Sequence, residues 1–308
     1  MLFPEQVKSL LKSQLSDWDL ARVNYGQLGK VRTRTLYFKG FEILVQFNPE
    51  RMRSSTAKVD AKSIEARPCF LCARNRPPQQ TGVPFSDNVT VLVNPFPIFP
   101  QHLTIPSELH TDQRIQPNFS LMLDLAMAMP DLVIFYNGPQ CGASAPDHFH
   151  LQAGNRGFMP IETDYAGGKF TRLLSDQKGA KVFYWEGYMR GIITLEGTDA
   201  EKFIDIFNRF YRKMTEIQPD EPEPMLNILA YYYNNSWVIH IIPRKLHRPV
   251  QYFKEGPEQI LLSPASVDLG GVIITPREED FNKITAMDIS DIFSQVCFEE
   301  HELPGLFS

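Results

Sequence analysis

The sequence predicts an α+β protein built from two repeated halves, with antiparallel sheets and flanking helices. Three observations carry that prediction. Apolar and polar residues alternate over short stretches such as 34–47 and 148–152, the period of a half-buried strand. Phe203, Ile206, Phe207, Phe210 and Met214 recur at the spacing of one helical face. The order strand, strand, helix, strand, turn, histidine-bearing strand occurs twice, residues 131–152 matching 225–244 loosely. A chain of 308 residues exceeds what most single cores support. We therefore divide it into a first half, 1–160, and a second half with a C-terminal extension, 161–308.

In chain order, residues 4–15 put Val7, Leu10, Leu11 and Leu15 on one side of a helix. Residues 34–47 read as a hairpin turned at Lys39-Gly40. A polar, basic loop over 48–62 (Arg51, Arg53, Lys58, Lys62) leads into Arg67-Pro68-Cys69-Phe70-Leu71-Cys72 and a proline-rich turn. A strand over 90–93 ends in the loop 94–100, which prolines stiffen among aromatics. A strand over 102–105 stops at Pro106, and a helix over 119–129 stops at Pro130. Residues 132–136 form a buried strand that delivers the chain to a turn-rich loop.

In the second half, strands are expected over 182–188, 191–195, 226–232 and 237–242. Thr198 or Asp199 caps the helix between them. An acidic, proline-rich linker occupies 220–224. The tail adds a strand over 271–275 and a last helix, capped near Thr285, that buries Ile289, Ile292, Phe293 and Val296.

Composition excludes several classes. Hydrophobic residues at 43% and charged residues at 22% are ordinary for a globular enzyme, and a net charge of −5 argues against a nucleic-acid partner. The start, Met1-Leu2-Phe3-Pro4, resembles neither a signal nor a transit peptide, and no apolar run reaches the length of a membrane span. Of the four cysteines only Cys69 and Cys72 are close in sequence. That is no disulfide framework, so the expected location is the reducing cytoplasm.

Residues 137–152, N-G-P-Q-C-G-A-S-A-P-D-H-F-H-L-Q, organise the chain. If the last five form one strand, His148, His150 and Gln152 share a face while Phe149 and Leu151 pack behind. Two imidazoles and an amide beside a loop rich in backbone N–H groups suit phosphoryl chemistry. One imidazole attacks phosphorus while its neighbours hold it and the phosphate oxygens. A His-x-His pair alone is equally a surface or core pair. The adjoining glycine-rich loop and the upstream Cys-x-x-Cys turn the reading toward chemistry.

Gly142-Ala143-Ser144 followed by His148-Phe149-His150-Leu151-Gln152 resembles the active-site signature of the histidine-triad superfamily, in the branch where glutamine replaces the third histidine. That branch includes galactose-1-phosphate uridylyltransferase, dinucleoside tetraphosphate phosphorylase and the GDP-hexose phosphorylases. Residues 26–30 with 45–49, and 270–272 with 276–281, are similar to the two ends of the GDP-hexose phosphorylases.

The resemblance implies two fused histidine-triad-like halves, the first active and the second degenerate. It implies a nucleotidyltransferase or phosphorylase acting on a nucleotide sugar or dinucleoside polyphosphate, with phosphate or a sugar phosphate as acceptor. His150 would attack the α-phosphorus to give a nucleotidyl-histidine, and Gln152 would donate to a phosphate oxygen. Ser144 and the backbone of Gly142 and Ala143 would bind the oxygens that gain charge. Asn137 would fix the loop or the His150 ring, and Asn94 and Phe96 lie where family members contact the nucleoside. One departure stands out: Ala145-Pro146-Asp147 separates Ser144 from His148, where family members usually have two residues. The competing readings are a hydrolase of the same type and a nucleotide-binding scaffold whose chemistry has lapsed.

A lone Cys-x-x-Cys is either two buried thiols or half of a tetrahedral metal site, which needs two more ligands. By resemblance to the uridylyltransferase-like members, Cys69, Cys72, His110 and His148 would hold a structural zinc, with His102 the rival of His110. Zinc on His148 would orient the strand and hence His150. In the second half His240, Arg244, Lys245 and Arg248 cluster at a strand end, and Arg244 is the expected pyrophosphate contact. The uridylyltransferase builds its site across a dimer, so a homodimer is one expected assembly.

Overall fold

The computed structural model describes residues 2–52 and 59–307, so Arg53 and Lys58 of the basic loop lie outside the described residues. Helices α1 (Phe3–Asp17) and α2 (Asp19–Gln27) lead into a hairpin of β1 (Arg32–Tyr37) and β2 (Glu42–Phe47). Next come β3 (Gly82–Phe85), β4 (Val89–Val93), β5 (His102–Pro106), helix α3 (Phe119–Ala128), β6 (Leu132–Asn137) and β7 (His150–Asn155). The second run is β8 (Thr171–Gln177), β9 (Ala180–Trp185), β10 (Ile193–Gly197), helix α4 (Ala200–Ile217), β11 (Leu226–Tyr233) and β12 (Ser236–Pro243). The tail supplies β13 (Val272–Thr275) and helix α5 (Ala286–Val296).

The two runs repeat one plan. Each makes three strands, a helix and two strands, and each inserts its last strand between the third and fourth. The result is a ten-stranded antiparallel sheet, β3-β4-β5-β7-β6-β11-β12-β10-β9-β8, joined where β6 pairs with β11 and Phe135 faces Leu229. The fold is thus α+β with two fused halves, and each half carries one strand more than its sequence suggests, the edge strands β3 and β8.

Alternation along the strands sorts the faces. Ile134, Tyr136, Leu151 and Ala153 pack in one core with Phe119 of α3 and Phe207 and Phe210 of α4. The Phe119 and Phe207 rings stack at 4.0 Å, tying the helices of the two halves together. On the opposite face Val133, Phe135 and Leu229 meet Ile43, Val45 and Ile273 of the small sheet β1-β2-β13, with Ile289 and Phe293 of α5. Each fully buried aliphatic or phenyl side chain contributes about 1.5–3 kcal/mol. β13 runs parallel to β2, with Ile273 opposite Val45, so the C-terminal extension closes on an amino-terminal hairpin.

Local signals set the helix starts. The Asp199 carboxylate accepts from Lys202 N–H at 3.1 Å, and Thr285 and Asp288 cap α5 reciprocally. Among the described residues no helix is long and apolar enough to cross a membrane.

The linker over 220–224 does more than connect. Glu223 is buried and accepts from Ile115 N–H at 2.6 Å and from the Tyr136 hydroxyl at 2.5 Å, with Tyr211 and Arg114 also facing it. Burial outweighs these contacts and pushes its carboxyl from 4.5 up to about 7. Between those values the folded chain holds a proton that the unfolded chain has lost. Its contribution is therefore full below pH 4.5 and is lost as pH rises through 7. The Glu223→Gln variant should lose up to about 3 kcal/mol less stability than wild type between pH 5 and pH 8. Denaturant unfolding of both proteins at the two pH values measures this, and parallel slopes would place the titration elsewhere.

Candidate active site and metal centre

β7 starts at His150, where pairing with Pro106 of β5 begins. The expectation that His148 shares a strand face with His150 and Gln152 is corrected. His148 N–H donates to Ala145 O at 3.1 Å, a turn bond that keeps it out of the ladder. Its ring points instead to the cysteines. His150 and Gln152 do share a face, with Phe149 and Leu151 in the core behind them.

His150 is nearly fully buried, and its Nδ1–H donates to the carbonyl of His148 at 2.8 Å. That bond fixes the tautomer and leaves the lone pair on Nε2. Burial, opposed by the carbonyl contact, draws the imidazole down to about 4, so the ring is neutral near pH 7.

Gln152 is oriented by a residue expected only as a rival metal ligand. His102 accepts from Ile98 N–H at Nδ1, 3.1 Å, so its Nε2 carries the proton and donates to Gln152 Oε1 at 3.2 Å. The Gln152 carboxamide therefore turns its NH₂ group away from His102. Burial, then the nearby Arg51 cation, holds His102 at about 3 and keeps this neutral tautomer. The loop expected to contact the nucleoside joins the same network. Asn94 N–H donates to His102 O at 2.9 Å, Asn94 Oδ1 accepts from Phe96 N–H at 2.9 Å, and Arg51 donates to Phe96 O at 2.8 Å.

The loop after β6 folds on itself. Cys141 and Ala143 N–H groups donate to Gly138 O, at 2.8 and 3.4 Å, so the Ala143 amide is directed inward rather than to a ligand. Gly142 has φ +98°, and a Cβ there would lie 2.6 Å from the Ala265 Cβ. Gly142→Ala should therefore cost about 1–3 kcal/mol and loosen the loop. Chemical denaturation checks it, and an unchanged midpoint would mean that the loop is not held against Ala265.

Asn137 fixes this loop rather than the His150 ring. Its Oδ1 accepts from Asn227 Nδ2 and Ser266 N–H, both at 2.9 Å, and Asn227 Nδ2 also donates to Cys141 O at 2.9 Å. Arg244 stands behind them. The expectation that it meets a pyrophosphate is corrected: it is fully buried, and all five N–H donors are spent. They go to Val296 O, Asn227 Oδ1, Pro264 O, Leu246 O and His247 O, at 2.7–3.1 Å. The basic cluster disperses, with Lys245 near Glu302 and Arg248 over the Tyr252 ring. His240, opposite Thr194 as Gln152 is opposite Thr104, is locked in the second core by the Thr194 hydroxyl at 2.8 Å.

The extra residue between Ser144 and His148 is accommodated by an ion pair absent from our expectations. Arg67 reaches Asp147 Oδ1 at 3.0 Å and Ser144 O at 3.3 Å, pinning the loop to the segment that leads into Cys69. Cys69, Cys72, His110 and His148 present ligand atoms within 4.8 Å of one another. His102 lies elsewhere, on Gln152. Sulfur–nitrogen separations of 3.2–3.5 Å match the roughly 3.5 Å expected for thiolate and imidazole ligands sharing a tetrahedral ion. His148 Nε2–H donates to Ser107 O at 2.8 Å, which leaves Nδ1 for the cluster. Burial would raise the Cys69 thiol, but its contact with the His148 ring and hydrogen bonds from the Leu71 and Cys72 backbones lower it to about 6. The four residues fit a metal ion.

Comparisons with known proteins bear on the fold that carries this site. A family model described as a domain of unknown function, DUF4922, matches residues 10–155, and a GDPGP1-like C-terminal domain matches residues 168–304. No curated protein matches the sequence. Yeast Ap4A phosphorylase Apa2 is similar in structure at 17% identity and a TM-score of 0.57, over 91% of this chain and 93% of that one. Its complex with AMP gives 0.58 over 94% and 98%, and its complex with Ap4A gives 0.57 over 94% and 97%, both at 17% identity. The chain thus shares its two-half fold with yeast Ap4A phosphorylase and carries a GDPGP1-like C-terminal domain over residues 168–304. Both findings support the resemblance to the branch of the uridylyltransferase, the dinucleoside tetraphosphate phosphorylases and the GDP-hexose phosphorylases.

Proposed function

We propose that the chain is a nucleotidyltransferase of the phosphorylase type, acting on a nucleotide sugar or a dinucleoside polyphosphate. The observation that carries this reading is the His150 ring: neutral, with Nδ1–H held by the His148 carbonyl and Nε2 left as the nucleophile. Nε2 forms a bond to the α-phosphorus, and the bond to the leaving phosphate oxygen breaks with its electron pair. The ring keeps Nδ1–H, and the His148 carbonyl steadies the positive charge it acquires. An oxygen of the acceptor phosphate then attacks phosphorus, and the nitrogen–phosphorus bond breaks. The Gln152 NH₂ group, aimed by His102, donates to a phosphate oxygen. Ser144 and the Gly142 amide serve the same oxygens, and Arg51 supplies the cation once expected of Arg244. Asn94 and Phe96 border the nucleoside. Yeast Ap4A phosphorylase, which shares the fold, is known bound to Ap4A and to AMP, and that supports a nucleotide donor.

We assign zinc to the Cys69, Cys72, His110 and His148 cluster, as a structural ion. His148 would link it to the chemistry, its Nδ1 on the metal and its carbonyl on His150. Incubation with dinucleoside tetraphosphates and nucleoside diphosphate sugars, with and without phosphate, tests the reaction class. Nucleoside diphosphate formed only with phosphate supports phosphorolysis. Nucleoside monophosphate released equally fast without phosphate would favour the hydrolase, and binding with no turnover the lapsed scaffold.

A further inference from the structure

The β6–β7 ladder pairs Leu132 with Asn155 and continues to Phe135 with Gln152. Carried two residues further, the same register sets Asn137 opposite His150. The ladder does not close there, because the strands part to release the loop that bears Gly142 and Ser144. A side chain fills the gap. Gln113, fully buried after β5, donates through Nε2 to the carbonyls of Asn137 and His150, each at 3.0 Å. Its Oε1 accepts the His150 N–H at 2.8 Å.

The N–H and C=O of one strand residue point to the same side, toward one neighbour. For His150 that side is β6, and both groups go to Gln113 in place of a strand. Gln113 is itself held. Its own N–H donates to Pro146 O at 3.0 Å, Thr111 O accepts from Phe149 N–H at 2.6 Å, and Ile115 N–H is anchored on Glu223.

We infer that Gln113 is a positioning residue for the reaction: its amide wedges β6 from β7 and sets where His150 Nε2 meets phosphorus. The inference rests on His150 being the nucleophile. A carboxamide is required because both a donor and an acceptor are used. Gln113→Met keeps the volume and removes all three bonds, whereas Gln113→Glu keeps the shape but sets a carboxylate against two carbonyl oxygens.

Two readouts test it on the full-length protein, and whichever of the two variants folds serves. Hydrogen exchange at the His150 amide should quicken by about tenfold or more, since its acceptor is lost or misplaced. At saturating dinucleoside tetraphosphate, formation of the nucleotidyl-enzyme should slow by roughly 100-fold, with Kd changed by less than about threefold, the pattern of a misplaced nucleophile. Unchanged exchange would overturn the clamp itself. Parallel loss of rate and binding would reduce Gln113 to a structural residue. No nucleotidyl-enzyme in wild type would instead remove the His150 reading, and the positioning role with it, while exchange still reports on the clamp.

Discussion

His150→Ala should lose turnover by on the order of 10⁴–10⁶-fold while retaining nucleotide binding within about tenfold. The asymmetry follows from the geometry. The ring is nearly enclosed and its Nδ1 is committed to the His148 carbonyl, so the lone pair on Nε2 is what truncation removes. The backbone clamp from Gln113 does not depend on the side chain, so the strand should persist. Initial rates with each donor, and titration of binding, separate the two effects. Turnover within tenfold of wild type would mean that another group carries the transfer.

Removal of the proposed zinc should cost about 3–5 kcal/mol, a shift on the order of 10 °C in Tm. Four candidate ligands from three segments converge there: the Cys69–Cys72 turn, His110 after β5, and His148 before β7. Cys72→Ser, or dialysis against a strong chelator, should lower both metal content and Tm, and rebinding zinc should restore the dialysed wild type. Because the His148 carbonyl also holds His150, turnover should fall with the metal. Metal analysis finding no zinc in untreated protein, together with an unchanged Tm in Cys72→Ser, would reduce the cysteines to two buried thiols.

The parts legible in the sequence were those whose signal is local. Period-2 alternation placed His150 and Gln152 on one face, and the cap residues Asp199 and Thr285 located two helices. The repeat was visible because buried strands and amphipathic helices recur in order. The strands left unread, β3 and β8, are the two edges of the large sheet. One contains Pro84, and the other leaves Leu173 half-exposed, so neither carries a clean apolar period. His148 was assigned to the strand because its spacing from His150 fits, and only the turn bond to Ala145 shows otherwise. Arg244 was misread because charge along a sequence says nothing about burial. Its five partners lie up to 52 residues away. Gln113 meets His150 across 37 residues and Asn137 meets Ser266 across 129, separations that no local pattern encodes. The metal set, with His110 preferred to its rival His102, was reached through family resemblance, and the fold brings those four residues together.

The most direct test of the central claim is the intact mass of the protein after brief exposure to dinucleoside tetraphosphates and nucleotide sugars without phosphate. Wild type should gain one nucleoside monophosphate, whose mass names the base, and His150→Ala should gain none. An adduct on both proteins, or none on wild type with any donor that measurably binds, would contradict a nucleotidyl-His150 intermediate.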